Sequence, residues 1–366
     1  MTGTTLGLYL ARDFLRNTAG LFFLFFFLIM LVDIIELSRQ VSAVTHVRFS
    51  DVALVCLFRA PSFAENILPF AVMFGASASL IMLNRKLELV VARASGVSVW
   101  QFLMPLVVTA ALIGLFASLA YNPLSLRGLV LSKAKEAGFY GDNGFKGSSK
   151  DAWMRLNQTG GDVVIRARVA QKGGTELNGV TAYRYSSGSE LIERLDAKSA
   201  QFVEGPSGEN HFLLHEVVSS IPGQLSRPAD SVVLPVKISR ARLQIDQTNA
   251  DNVGFWQLGE QAEKAQLAGN NFLPFLTRYQ SLLSQPLLFV AMVLLAATVS
   301  LRFARFGLSG KAILAGVLAG FMLYVLSKLL ITFGSNGLVP PFVAAWTPAI
   351  VASLIGVTVL LHQEDG

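Results

Sequence analysis

His211 and His215 stand four residues apart, and Glu216 follows them. On a helix that spacing could hold zinc. The segment alternates like a strand, where residues four apart share a face but lie too far along for one ion to join both. No further His and no Cys support them, so they read as ordinary surface or half-buried histidines. Asn157-Gln158-Thr159 is a glycosylation sequon by pattern only. No Ser/His/Asp or paired-carboxylate arrangement stands out. No Gly-x4-Gly-Lys-Ser/Thr occurs either: Gly307 to Ala312 has the wrong spacing and lacks the hydroxyl that would reach Mg²⁺. The chain has no phosphate cradle of its own. If ATP drives it, a partner binds the ATP and its Mg²⁺, and no cofactor is bound directly.

Two sets of residues carry more information. Lys328 sits inside the apolar run Leu323–Ile331. A lysine at the centre of a spanning helix costs roughly 3 kcal/mol on insertion scales, so it is expected to face a cavity, a partner or a carboxylate unless it snorkels outward. The second set lies at Asn84–Ser98, between two apolar runs. Leu87, Val90, Val91 and Ala94 fall at helical spacing and make one apolar stripe, with Arg85, Glu88 and Ser95 elsewhere on the wheel. The expected element is a short helix parallel to a membrane, with one face on the bundle and a polar face free to meet a soluble subunit. A connector that merely rests on lipid has the same periodicity.

The elements that position these residues follow from composition. Of 366 residues, 52% are hydrophobic and 15% charged, which excludes intrinsic disorder, collagen and a soluble enzyme with a normal charged coat. Six apolar segments, near 18–36, 55–83, 99–121, 276–301, 311–333 and 343–361, are long enough to cross a bilayer. Pro61 and Pro69 predict a kink or break in the second. Between about 122 and 272 the chain turns polar and Gly-rich, with alternating segments at 162–168, 180–185, 191–195, 211–217 and 232–238. These predict a small antiparallel β domain, a sandwich or jelly roll. In Asp162–Arg168, alternation puts Val163, Ile165 and Ala167 inside. The formal charge of +6 reflects membrane orientation and anionic lipid rather than nucleic acid. Arg12, Arg16, Arg85, Lys86, Arg93, Arg302, Arg305 and Lys311 flank one side of the spans, placing both termini in the cytoplasm and the β domain outside it. The lone Cys56 cannot form an intramolecular disulfide.

The stretch containing Glu65, Leu68-Pro69-Phe70, Arg85, Glu88-Leu89 and Ala94-Ser95-Gly96 resembles the permeases of the lipopolysaccharide-export ABC transporter, the LptF/LptG family, and is more like the LptG type. Gln285-Pro286-Leu287, Pro340-Pro341-Phe342 and Ala344 to Pro348 agree, so the resemblance covers almost the whole chain. It implies a polytopic α-helical inner-membrane protein with six transmembrane helices and an inserted periplasmic all-β, jelly-roll-like domain. Residues 1–121 would hold helices 1–3, including a coupling helix at 84–98. Residues 122–272 would hold the β domain with its connecting segments, among them a polar helical stretch around Trp256–Ala268, and 273–366 helices 4–6. It implies no catalysis by this chain. The expected partners are a homologous LptF-type permease, a dimeric LptB-type cytoplasmic ATPase, a bitopic LptC-type protein and periplasmic LptA-type jelly rolls. Arg85, Glu88, Leu89, Arg93 and Gly96 would couple to the ATPase. Arg39, Arg59, Arg127, Lys133 and Lys328 would meet lipid A phosphates, and Ile165 the acyl chains. The chain departs from some members in carrying Asp33 and Ser62 where they have basic residues. Other readings are a permease for another lipid or lipoprotein, a membrane-anchored periplasmic scaffold and a glycolipid-modifying membrane enzyme.

Overall fold

Each apolar run of the sequence folds as helix, and the polar middle folds as strands. The computed structural model describes residues 2–42, 47–139, 152–158, 161–171, 175–186, 190–204, 210–223, 225–236, 250–267, 271–306 and 310–365. The chain divides into two compact units: 1–139 with 250–262 and 272–366, and 140–249 with 263–271.

In the first unit the helices are α1 (Thr2–Val41), α2 (Phe49–Ala64), α3 (Leu68–Arg85), α4 (Glu88–Ala94), α5 (Val99–Phe116), α6 (Asn122–Phe139), α7 (Phe255–Leu267), α8 (Leu273–Phe306), α9 (Gly310–Ser335) and α10 (Pro341–Asp365). Among the described residues, six helical stretches are long and apolar enough to cross a membrane: Thr5–Val41, Leu68–Arg85, Val99–Glu136, Leu273–Leu301, Leu314–Ser335 and Pro341–Gln363. The second apolar segment is not one span but two helices, broken at Glu65–Ile67. α8 forms the axis of the bundle, packing on α3, α5, α9 and α10. Phe289, Ala291, Met292, Val293 and Leu294 are all buried, as expected of a helix surrounded on all sides. α1 is different: Phe23, Leu24, Phe27 and Leu28 are exposed, which leaves the outer side of the phenylalanine run for lipid.

Two prolines show how this bundle satisfies its backbone. Pro286 in α8 has no N–H to give the carbonyl of Leu282, and the Ser118 hydroxyl donates to that carbonyl instead, at 2.6 Å. Pro123 likewise leaves the carbonyl of Leu119, and the Trp256 indole N–H donates to it at 3.1 Å. A π turn, Ala117–Tyr121, joins α5 to α6 just before Pro123. The helix therefore does not stop at 121. It runs on to Phe139, with α6 packed on α2 so closely that a Cβ on Gly128 would lie 2.5 Å from the Phe58 carbonyl oxygen. Residues 122–139 and 250–262 thus belong to the helical unit; the sequence reading placed them within 122–272, as segments connecting to the strands.

The second unit holds one six-stranded antiparallel sheet, in the order β1 (Ala152–Gln158), β2 (Gly161–Gln171), β3 (Glu176–Tyr185), β4 (Leu191–Val203), β5 (His211–Ser220) and β6 (Arg227–Pro235). Sequence alternation missed β1. Val163, Ile165 and Ala167 are buried as their alternation requires, and Arg166 and Arg168 are exposed. The described strands form a consecutive meander; Greek-key crossings of a jelly roll are not among them. Pairing skips one position on every strand from β2 to β6, so that Arg168, Gly179, Lys198, Glu216 and Asp230 fall in one row. Gly179 and Glu216 have positive φ, 61° and 49°. Across this row the buried positions change parity: Leu177 then Val180, Ala197 then Ala200, Leu214 then Val217. The same irregularity on neighbouring strands bends the whole sheet, and both halves feed one core.

Candidate functional site

The break between α2 and α3 is where the polar residues of the helical unit gather. Glu65 ends α2 and is buried. Arg278 of α8 donates through Nη2 to Glu65 Oε1 at 2.8 Å. Asn122, fully buried at the start of α6, donates through Nδ2 to both Glu65 oxygens at 3.2 and 3.1 Å. Its Oδ1 accepts from the backbone N–H of Phe255 at 3.1 Å, which caps the start of α7. One carboxylate therefore ties together α2, α6 and α8, and Asn122 extends the link to α7. Asp251 lies 3.8 Å from Arg278 Nε.

Beside this hub a pocket opens, lined by Glu65, Asn66, Arg278, Gln285, Tyr324 and Lys328 among others. Lys328 Nζ donates to Asn66 Oδ1 at 3.1 Å and sits 5.6 Å from the centre of the Tyr324 ring. An amide oxygen and an aromatic face leave its charge available, unlike that of Arg278. The lysine in the fifth apolar run does face a cavity, and its partner is an amide rather than a carboxylate.

A second cluster joins α1, α2 and α6. Arg59 donates to both oxygens of Asp33, at 2.6 and 3.1 Å, and through Nη1 to Glu136 at 3.2 Å. All three side chains are largely buried. Arg59, expected to meet phosphate, is held here by two carboxylates, in a bidentate pair and a single bond. Arg39 is exposed and pairs with Glu36 one turn back, at 2.8 Å. Arg127 is exposed. Lys133 is exposed too, and among the described residues its Nζ reaches Asn252 Oδ1, at 3.5 Å. Ile165 lies in the sheet core of the other unit, 1% exposed.

The short helix α4 also departs from its expected posture. Leu89 is the residue buried in the bundle, while Leu87, Val90, Val91 and Ala94 are exposed. The apolar stripe that was expected to lie on the bundle faces outward instead. The reason is the turn before it: Leu87 has φ 60°, which rotates α4 relative to α3. Glu88 is not free either, because Tyr9 Oη of α1 donates to its Oε2 at 3.1 Å. Arg85 and Gly96 are exposed, and the Arg93 side chain lies outside the described residues. Sequence reasoning did not single out Tyr9, Asn122 or Arg278. Arg278 was findable, as an arginine inside the fourth apolar run.

Comparison with known proteins gives two results. The family model described as lipopolysaccharide export system permease LptF/LptG matches residues 8–362. The chain is also 23% identical, over 312 residues, to the lipopolysaccharide export system permease protein LptG of Escherichia coli strain K12 and to that of Escherichia coli O6:H1, covering 84% of each chain.

Proposed function

Because the chain belongs to the LptF/LptG family of lipopolysaccharide export permeases, we propose that it is the LptG-type permease subunit of an ABC exporter that extracts lipopolysaccharide from the inner membrane. In this reading a separate cytoplasmic ATPase supplies the energy and binds ATP and Mg²⁺. A homologous LptF-type permease completes the cavity, and LptC- and LptA-type proteins receive the substrate. The observation that carries the reading is the placement of two different features along one helix. Tyr9 of α1 touches α4, and Asp33 of α1 touches Arg59. Twenty-four residues of helix separate them by about 36 Å, the thickness of a membrane. The exposed apolar face of α4 then lies on the cytoplasmic side, where an ATPase docks. Lys133 and Arg127 lie on the outer side, where lipid A phosphates stand. Both termini are cytoplasmic, in line with the lysine and arginine bias.

This chain performs no covalent step in that cycle. It binds the glycolipid in one state and releases it in the other, and the difference in affinity is supplied by ATP turnover in the partner. The test is ATP-dependent extraction of lipopolysaccharide from proteoliposomes holding the complete complex. Extraction should require this subunit. Equal extraction without it removes the assignment.

A further inference from the structure

α1 has its fully buried apolar residues and its polar fastenings toward its two ends, while Phe22 and Phe25 meet Tyr121 and Phe74 at its middle. Its buried apolar residues are Leu10 and Phe14 toward one end and Leu37 and Val41 toward the other. The polar fastenings follow the same division. At the first end Tyr9 holds Glu88, and Asn17 Nδ2 donates to Ser79 Oγ of α3 at 2.7 Å. Asp13, buried, accepts from Asn17 at 3.1 Å and pairs with Arg16. At the other end Asp33 takes Arg59. α1 is one unbroken helix from Thr2 to Val41, so its two sets of fastenings share a single element.

α4 has seven residues, too few to keep a helix or an orientation on its own. Leu89 in the core and Glu88 on Tyr9 set its orientation. Its other apolar residues face outward, so whatever docks on α4 loads a helix whose carboxylate is already tied to α1. We propose that Tyr9 is a positioning residue, whose hydroxyl carries displacement of α4 into α1 and so to the Asp33–Arg59 pair at the far end. The inference rests on the exporter reading for the identity of the load, the ATPase. Glu88 then has an internal task, distinct from touching the ATPase itself.

The competing account is an exposed surface hydrogen bond of little consequence. Tyr9→Phe removes the hydroxyl and nothing else. It is to be measured in the complete complex with the partner permease and the ATPase, reconstituted in proteoliposomes. The ATPase should co-purify in the wild-type ratio and the thermal midpoint should not move. Lipopolysaccharide export should fall about fivefold, the scale of one ordinary net hydrogen bond at an exposed site. Glu88→Ala should lose at least as much, and the double variant no more than Glu88→Ala alone. Spin labels at Gln40→Cys and Lys135→Cys, with Cys56→Ala, should change separation when ATP and vanadate are added. In Tyr9→Phe that change should be lost. Wild-type export by Tyr9→Phe, additive losses in the double variant, or an unaltered label response overturns the tether alone. A wild-type complex that carries no ATPase overturns the exporter reading and the tether's load together.

Discussion

Glu65 is the residue on which the helical unit's polar interior depends. Burying a carboxylate and a guanidinium is tolerable only while each keeps the other, so removing one partner of such a pair costs about 3–5 kcal/mol. Glu65→Ala should therefore lower the thermal midpoint of the detergent-purified protein sharply, and Arg278→Met should do the same. Glu65→Leu with Arg278→Met, which leaves no orphaned charge at the pair, should recover most of the loss. Equal damage in the double variant would show that Asn122, left without its acceptor, matters more than the ion pair. Lys133 contrasts with this buried pair: it is exposed, and among the described residues its ammonium meets an amide oxygen at 3.5 Å. A partly desolvated contact from such a group to phosphate is worth roughly 1.5–3 kcal/mol. Lys133→Glu should then weaken lipopolysaccharide binding by about tenfold or more, with Lys133→Arg tolerated. Unchanged affinity in Lys133→Glu takes it out of the site. Residue types and apolar runs made Lys328 and Lys133 visible in the sequence. Nothing local could show that Arg59 is neutralised by Asp33 and Glu136, 26 and 77 residues away. Glu65 was visible as a motif residue, but its partners lie 57 and 213 residues along the chain.

Elements are where proline and glycine decide the packing. A Cβ added at Gly114 would lie 2.5 Å from Pro286 Cα, so α5 and α8 approach at the very turn that Pro286 distorts. Ser118, one turn beyond Gly114, repairs the carbonyl that Pro286 abandons. This spacing of small residues is how helices come close in a membrane. Gly114→Leu should disrupt assembly of the helical unit, read as loss of a monodisperse peak in detergent. Ser118→Ala should cost only about 1–2 kcal/mol, the penalty of one unsatisfied carbonyl, and leave the peak intact. In the sheet, Gly179 plays the corresponding part: its φ of 61° excludes a branched side chain, and a Cβ there would lie 3.0 Å from the Cβ of Arg168. Gly179→Val should flatten the bend and destabilise the strands. Glu216→Gly, at the other positive φ, should be neutral or stabilising in the same thermal assay. The spans and five of the six strands were legible because their periodicities are strong. The continuation of α5 into α6 was not, since Pro123 and a polar composition both signal an end. Only a π turn and an indole from a distant helix reverse that signal.

At the scale of the whole molecule, the proposed orientation rests on charge. Lys and Arg resist translocation in short loops, so on the proposed reading the side with Arg12, Arg16, Arg85 and Lys86 stays in the cytoplasm. α1 starts on that side, and with an even number of spans α10 returns to it. The same proposal expects the strand unit, entered after the third span and left before the fourth, on the non-cytoplasmic side. Two exposed positions test this directly in a Cys56→Ala background, because Cys56 is buried and the sequence has no other cysteine. Ser231→Cys, on the surface of β6, should react with an impermeant maleimide added to intact cells whose outer membrane alone has been opened. Lys86→Cys, exposed between α3 and α4, should react only after the inner membrane is lysed. The reverse pattern would put α4 on the face where no ATP is available and Lys133 in the cytoplasm, where it could not meet lipid A leaving for the outer membrane. Both the orientation and the exporter mechanism would then have to be given up, although the family membership would stand.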